Sequence, residues 1–154
     1  MAKRILLEIH SSPSWYSMAG ISCHLRDYRL SYMLNQHLGF RLVRMDDLPF
    51  LQPGAKEPAP FTLFRWIDEE RQNTYYLLAN RSDEALLLQK VKQADFILLV
   101  EGPFSKKQEE DLLSRLRSVP NVLTAFSIPF SSVKNYEAIL TDLEMHLSEI
   151  TDGD

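Results

Sequence analysis

The run Phe96-Ile-Leu-Leu-Val100 constrains this chain more than any other feature, because five consecutive apolar residues place hydrophobic groups on both faces of an extended strand. Such a strand belongs in the interior of a sheet, with packed layers above and below it. Asp95 opens the strand and Glu101-Gly102-Pro103 closes it. Ser105 and Gln108 follow at capping-box spacing, then the apolar helical face Leu112, Leu113 and Leu116, and then Pro120, which stops a helix. Val122 to Ile128 reads as the last strand. Residues 96–128 are therefore expected to form a right-handed strand–helix–strand crossover between parallel strands.

Upstream, Lys3 to His10 reads as a strand and Ser11-Ser-Pro-Ser-Trp-Tyr16 as a turn. A helix starting at Ser22 or His24 carries the stripe Cys23, Asp27, Leu30, Leu34, Leu38 and ends at Gly39. Phe40 to Met45 reads as a second strand, and Pro49 to Pro60, with four prolines and a glycine, as a loop. Phe61 to Ile67 and Thr74 to Ala79 flank the polar stretch Asp68 to Asn73, which predicts an antiparallel hairpin. Glu84 to Gln93, opened by Ser82 or Asp83, is expected to be helical. The last helix, Ser132 to Ile150, carries Val133, Tyr136, Leu140, Leu143, Leu147 and Ile150 on one seam. The fold class that results is α/β (α+β-like). A single domain over residues 1–150 holds a mixed sheet of about six strands, with an antiparallel hairpin, a β-α-β crossover and helices covering the sheet. Residues 151–154 are expected to be a disordered tail.

At 154 residues, 45% apolar and 25% charged, the chain has the balance of one globular domain. A lone Cys23 makes no internal disulfide, which points to the cytoplasm. Glu8 and His10 interrupt the first apolar stretch, so it does not read as a signal peptide, and no run approaches the ~20 residues of a membrane span. The net charge is −4. Six Lys/Arg against four Asp/Glu occupy residues 1–50, while Lys134 faces six acids in 131–154. The balance gives no general attraction to nucleic acid or to anionic lipid, and neither is expected as a partner.

Motifs that carry chemistry are mostly missing. Gly20, Gly39, Gly54, Gly102 and Gly153 are isolated, so no glycine-rich phosphate cradle or dinucleotide loop is present and no cofactor is expected. Cys23 and His24 are neighbours about 100° apart around a helix, which is not a nucleophile–base pair, and Cys23 reads as a small buried residue. His24 and His37 are too far apart along a helix to close a metal site with Cys23 and Asp27, so neither a metal nor a catalytic residue is assigned. Asp27 interrupts an apolar stripe and needs a partner: helix N–H groups and the dipole, an arginine, or a ligand. Arg65, Trp66, Tyr75, Tyr76 and Arg81 are a set that stacks bases in some RNA-binding sheets. Strand alternation puts Phe64 and Trp66 on one face and Leu63 and Arg65 on the other, so part of the set is core.

Two functional expectations follow. The first is a non-enzymatic protein-binding or adaptor domain, with Leu140, Leu143 and Leu147 as the docking seam for a protein partner or a second copy. The second is a small-molecule site or cryptic enzyme around Asp27, Tyr28, Arg29 and Asp95, with Glu101 at the carboxyl end of the central strand.

Gly20-Ile21, Asp27-Tyr28-Arg29-Leu30 and Asn35 resemble the amino-terminal signature of the bacterial IPExxxVDY family, and Phe64, Asp68, Tyr75 to Leu78 and Asn80-Arg81 fall in that family's order. At the naming motif Leu88-Gln89-Lys90 stands for Ile-Pro-Glu and Ala94-Asp95-Phe96 for Val-Asp-Tyr, with Asp95 alone identical. The resemblance implies a bacterial cytoplasmic protein and carries over no active site.

Overall fold

The computed structural model describes residues 15–83, 85–133 and 136–152. The strand expected over Lys3 to His10 lies outside the described residues, as do residues 153 and 154. The elements in chain order are β1 (Tyr16–Cys23), α1 (Asp27–Leu38), β2 (Val43–Phe50), β3 (Ala59–Asp68), β4 (Asn73–Ala79), β5 (Arg81–Ser82) and β6 (Ala85–Leu86). They are followed by β7 (Phe96–Glu101), α2 (Lys106–Arg117), β8 (Val122–Ser127), a 3-10 turn at Phe130–Ser132, and α3 (Tyr136–Asp152). Six strands form one sheet in the order β2-β3-β4-β7-β1-β8, and β5 pairs with β6 separately.

The apolar run takes the place its composition requires. β7 lies between β4 and β1. Phe96, Leu98 and Val100 face a core shared with Leu30 and Leu34 of α1 and Leu112 and Leu116 of α2. Ile97 and Leu99 face the opposite core, which Leu140 and Leu143 of α3 close. The hairpin is β3–β4, with Trp66 opposite Tyr75 and Arg65 opposite Tyr76.

The β7-α2-β8 unit carries the expected capping box. Gln108 N donates to Ser105 Oγ at 3.1 Å, and Ser105 N donates to Gln108 Oε1 at 2.7 Å. β7 and β8 run parallel to each other, but β1 lies between them and is antiparallel to both. All neighbouring pairs of the six-stranded sheet are thus antiparallel, and the two strands of the crossover are parallel without being hydrogen-bonded to each other. β1 is the element that the sequence reading divided between a turn and a helix start. Its Gly20 looks like a breaker, yet it pairs with Phe126, and a Cβ there would come within 2.6 Å of the Phe126 ring. Glycine is required because the ring crosses the strand at that point.

Other boundaries move for identifiable reasons. Cys23 ends β1, so it does not share a helical face with Asp27, which begins α1. β2 runs from Val43 to Phe50 rather than from Phe40 to Met45, and it passes through Pro49, which is tolerated because β2 is the sheet edge. Of the helix expected over Glu84 to Gln93, the described residues 85–93 form β6, which pairs with β5, and a series of turns instead. Asn80, fully buried, holds this segment: Leu88 N donates to Asn80 Oδ1 at 2.7 Å, and Asn80 Nδ2 donates to the carbonyls of Val91 and Ala94 at 3.0 and 2.9 Å. One amide side chain thus satisfies backbone groups that a helix would have paired along its own axis. The last helix begins at Tyr136, after the 3-10 turn that contains Ser132, and it includes residues 151 and 152, which were expected in the tail.

Two stability measurements test this account. Gly20→Val should lower the unfolding free energy by about 1–3 kcal/mol through forced displacement of Phe126, and Phe126→Ala in the same chain should recover part of the loss in urea titration. Asn80→Ala strands two carbonyls and an N–H in the interior and should cost at least about 3 kcal/mol; a loss below about 1 kcal/mol would show that water replaces the amide.

Candidate functional site

The structure separates the residues that sequence reasoning grouped. Asp27 and Asp95 line one shallow cleft of about 420 Å³, together with Cys23, His24 and Arg81. Tyr28 is 61% exposed on α1 and does not line this cleft, and neither does the exposed Arg29. Glu101 sits at the far end of β7 from Asp95.

The cleft's acids are occupied by structural work. Asp95 Oδ2 accepts from Cys23 N at 2.9 Å, and its Oδ1 pairs with Arg81 Nε at 3.4 Å. Its backbone joins two strands, with Asp95 N donating to Ile21 O and Asn80 N donating to Asp95 O. Asp27 is half-buried rather than sealed in the core, and its Oδ1 accepts from Tyr28 N at 2.7 Å in the first turn of α1, the partner expected of an acid at a helix start. Burial pushes the Cys23 thiol above its ordinary value and the Asp95 carboxylate adds to the effect, which disfavours the thiolate.

Glu101 belongs to a different cluster. Tyr16 donates its hydroxyl to Glu144 Oε1 at 2.8 Å and lies 3.3 Å from Glu101 Oε2, while the Tyr76 hydroxyl donates to Glu101 Oε1 at 3.1 Å. Burial first, and then the Glu101 carboxylate, hold both phenols well above the ordinary tyrosine value. α3 is bound to the sheet here by hydrogen bonds as well as by its seam. Leu140 and Leu143 are 1% and 0% exposed, and Leu147 packs partly buried against the same core, so the seam faces the protein's own sheet.

The largest concavity described is one that the sequence did not single out. β2 begins pairing with β3 at Val43 opposite Arg65, whereas β3 continues to Asp68. No strand neighbours Trp66 to Asp68 on the β2 side, and a groove of about 690 Å³ opens at this unpaired edge. Its aromatic wall is Trp66, stacked on Tyr75 with centroids 4.7 Å apart and an interplanar angle of 16°, with Phe40 at 4.9 Å from Trp66. Phe40 and Tyr75 are buried, while Trp66 is half-buried.

Four guanidinium groups line the groove. Arg71 pairs with Asp68 at 3.6 Å. Arg41, Arg65 and Arg115 have no carboxylate within 4.0 Å among the described residues, and the acids facing them are Glu69 and Glu70, exposed on the hairpin turn. Arg115 is oriented by donating Nη2 to Leu38 O at 2.6 Å, at the end of α1. Asp68 is 7% exposed, and its Oδ2 accepts no hydrogen bond. Arg65, Trp66 and Tyr75 were noticed in sequence for stacking, but Phe40, Arg41, Asp68 and Arg115 come from other segments and carried no joint signal. Among the described residues no group of three or more His, Cys, Asp or Glu side chains is placed to hold a metal, and no helix is long and apolar enough to cross a membrane.

Compared with protein-family models, the chain matches none. Compared with curated proteins, it likewise matches none.

The raised phenols make a pH prediction. A hydroxyl whose folded pKa lies above its unfolded value contributes stability that is complete below about pH 10 and is lost as the pH climbs toward the folded value. Unfolding free energy should therefore fall above pH 10 in wild type, and a Tyr16→Phe, Tyr76→Phe double variant should show a flatter alkaline limb in urea titrations.

Proposed function

We propose that this protein is a ligand-binding domain whose site is the groove at the open edge of β3, and that it takes a small organic anion bearing a planar ring. The observation that carries this reading is that Arg41 and Arg115, without carboxylate partners among the described residues, line one groove with the half-buried ring of Trp66, while Arg65 reaches the same groove from the other face of β3. Guanidinium groups recognise carboxylates and phosphates through paired N–H donors, and an indole face offers stacking area to a planar ring. The volume falls within the roughly 300–1,000 Å³ of small-molecule sites. Among the groove's described lining residues there is no Ser, Cys or His, which favours binding over nucleophilic chemistry.

This moves the small-molecule reading away from Asp27, Arg29 and Asp95, whose acids are engaged in the fold. A protein-binding role is second, favoured by Val43 and Ile67, 62% and 53% exposed on the groove lining beside the unpaired strand edge. The resemblance to IPExxxVDY proteins, and the bacterial cytoplasmic setting it implies, belong to this proposal; several residues that carry it have structural roles, since Asn35 bonds both backbone groups of Leu42, and Asn80, Arg81 and Asp95 tie the 80–95 segment to the sheet.

The test uses Trp15→Phe, which leaves Trp66 as the sole tryptophan. Titration with a panel of aromatic carboxylates and nucleoside monophosphates should quench its fluorescence saturably for at least one compound, and Arg41→Gln with Arg115→Gln should weaken that binding by roughly tenfold or more. A panel without any saturable change up to about 1 mM would sink the reading.

A further inference from the structure

Asp68 adds an observation of a different kind at the same groove. A carboxylate oxygen out of water and without a donor costs free energy, so a site built around one calls for a donor. Asp68 is 7% exposed, Oδ2 accepts no hydrogen bond, and Oδ1 accepts only a long bond from Arg71 N at 3.4 Å. Its cross-strand neighbour Asn73, 2% exposed, also has an unpartnered acceptor: Nδ2 is committed to the carbonyls of Glu101 and Pro103, which leaves Oδ1 without a donor. The charge nearest to Asp68 is the side chain of Arg71, 65% exposed and touching only at 3.6 Å. That side chain is mostly exposed and its ion pair is long, so little holds it on Asp68.

Resting on the reading of the groove as a site for an aromatic anion, we infer that the ring is a guanine and the ligand a guanine nucleotide. Guanine presents a ring N–H and an amino N–H side by side, which match the two oxygens of one carboxylate; adenine presents an amino group beside a bare ring nitrogen. The base lies along Trp66, its N–H pair takes the place of Arg71 on Asp68, and Arg71 turns outward to join Arg41 and Arg115 around the phosphate. The phosphate is held by side chains, consistent with the absence of clustered glycines in the sequence.

The experiment is calorimetric and fluorescence titration of the Trp15→Phe chain with GMP, IMP, AMP and inorganic phosphate. IMP keeps the ring N–H and lacks the amino group. The expected order is GMP tighter than IMP and IMP tighter than AMP, each step by roughly fivefold or more, with phosphate alone weakest. Asp68→Asn, checked for folding by circular dichroism, should erase the preference and leave residual binding to all three nucleotides; because the ligand series varies only the base, the ranking stands as evidence even where that variant fails to fold. AMP binding as tightly as GMP would overturn the guanine assignment while leaving the anion groove intact, and no saturable binding by any nucleotide would overturn the guanine assignment outright. An aromatic carboxylate that binds when the nucleotides do not would leave the groove reading standing alone.

Discussion

The burial of β7 on both faces is the constraint on which the other elements depend. A strand with no polar face cannot be satisfied by one layer, so α1 and α2 must cover Phe96, Leu98 and Val100 while α3 covers Ile97 and Leu99. Its backbone needs two neighbours, and β4 and β1 supply them. Each helix is thereby committed by its apolar stripe to one side of the sheet. The seam of α3, regular enough to suggest a docking surface when read alone, is used up by this requirement.

The functional geometry arises where the sheet's regularity fails. β2 stops pairing before β3 ends, because the chain leaving α1 through Gly39 to Leu42 is held by the Asn35 amide instead of by the ladder. The mismatch leaves a step at the edge, and the groove there is lined by side chains from both faces of β3: Trp66 and Asp68 from one, Arg65 and Ile67 from the other. A strand edge of this kind invites pairing with other chains. The charged side chains gathered around it oppose such pairing while leaving the groove open to a small anion.

Polar residues at the other end of the sheet have a different job. Asp95, Arg81 and Asn80 look like chemistry in a list of residues, but Asn80 and Arg81 bond backbone groups of a segment with little regular structure of its own, and Asp95 bonds Cys23 N of β1 and the Arg81 side chain. The Glu101, Glu144, Tyr16 and Tyr76 cluster likewise links α3 to three strands. Long irregular segments in a small domain need such side chains, because buried carbonyls and N–H groups without a ladder must find partners elsewhere. This is why acids that stand out in the sequence prove to be poor guides to a site.

Local signals alone determined the β3–β4 hairpin, the apolar central strand, the capped α2 and the seam of α3, since each depends on periodicity or on contacts a few residues apart. They did not determine β1, whose glycine is explained only by the Phe126 ring across the strand pair, nor the 85–93 segment, which reads as a helix in sequence but whose backbone is captured by Asn80. The groove was legible only in fragments. Arg65 and Trp66 could be seen on a strand, but Arg41, Asp68 and Arg115 meet them through strand register and the end of α1, distances that exist only once the chain has folded. Register and loop capture are long-range choices set by the whole core, so tertiary structure alone decided which arginines line the groove and which carboxylate oxygen there is left without a hydrogen bond.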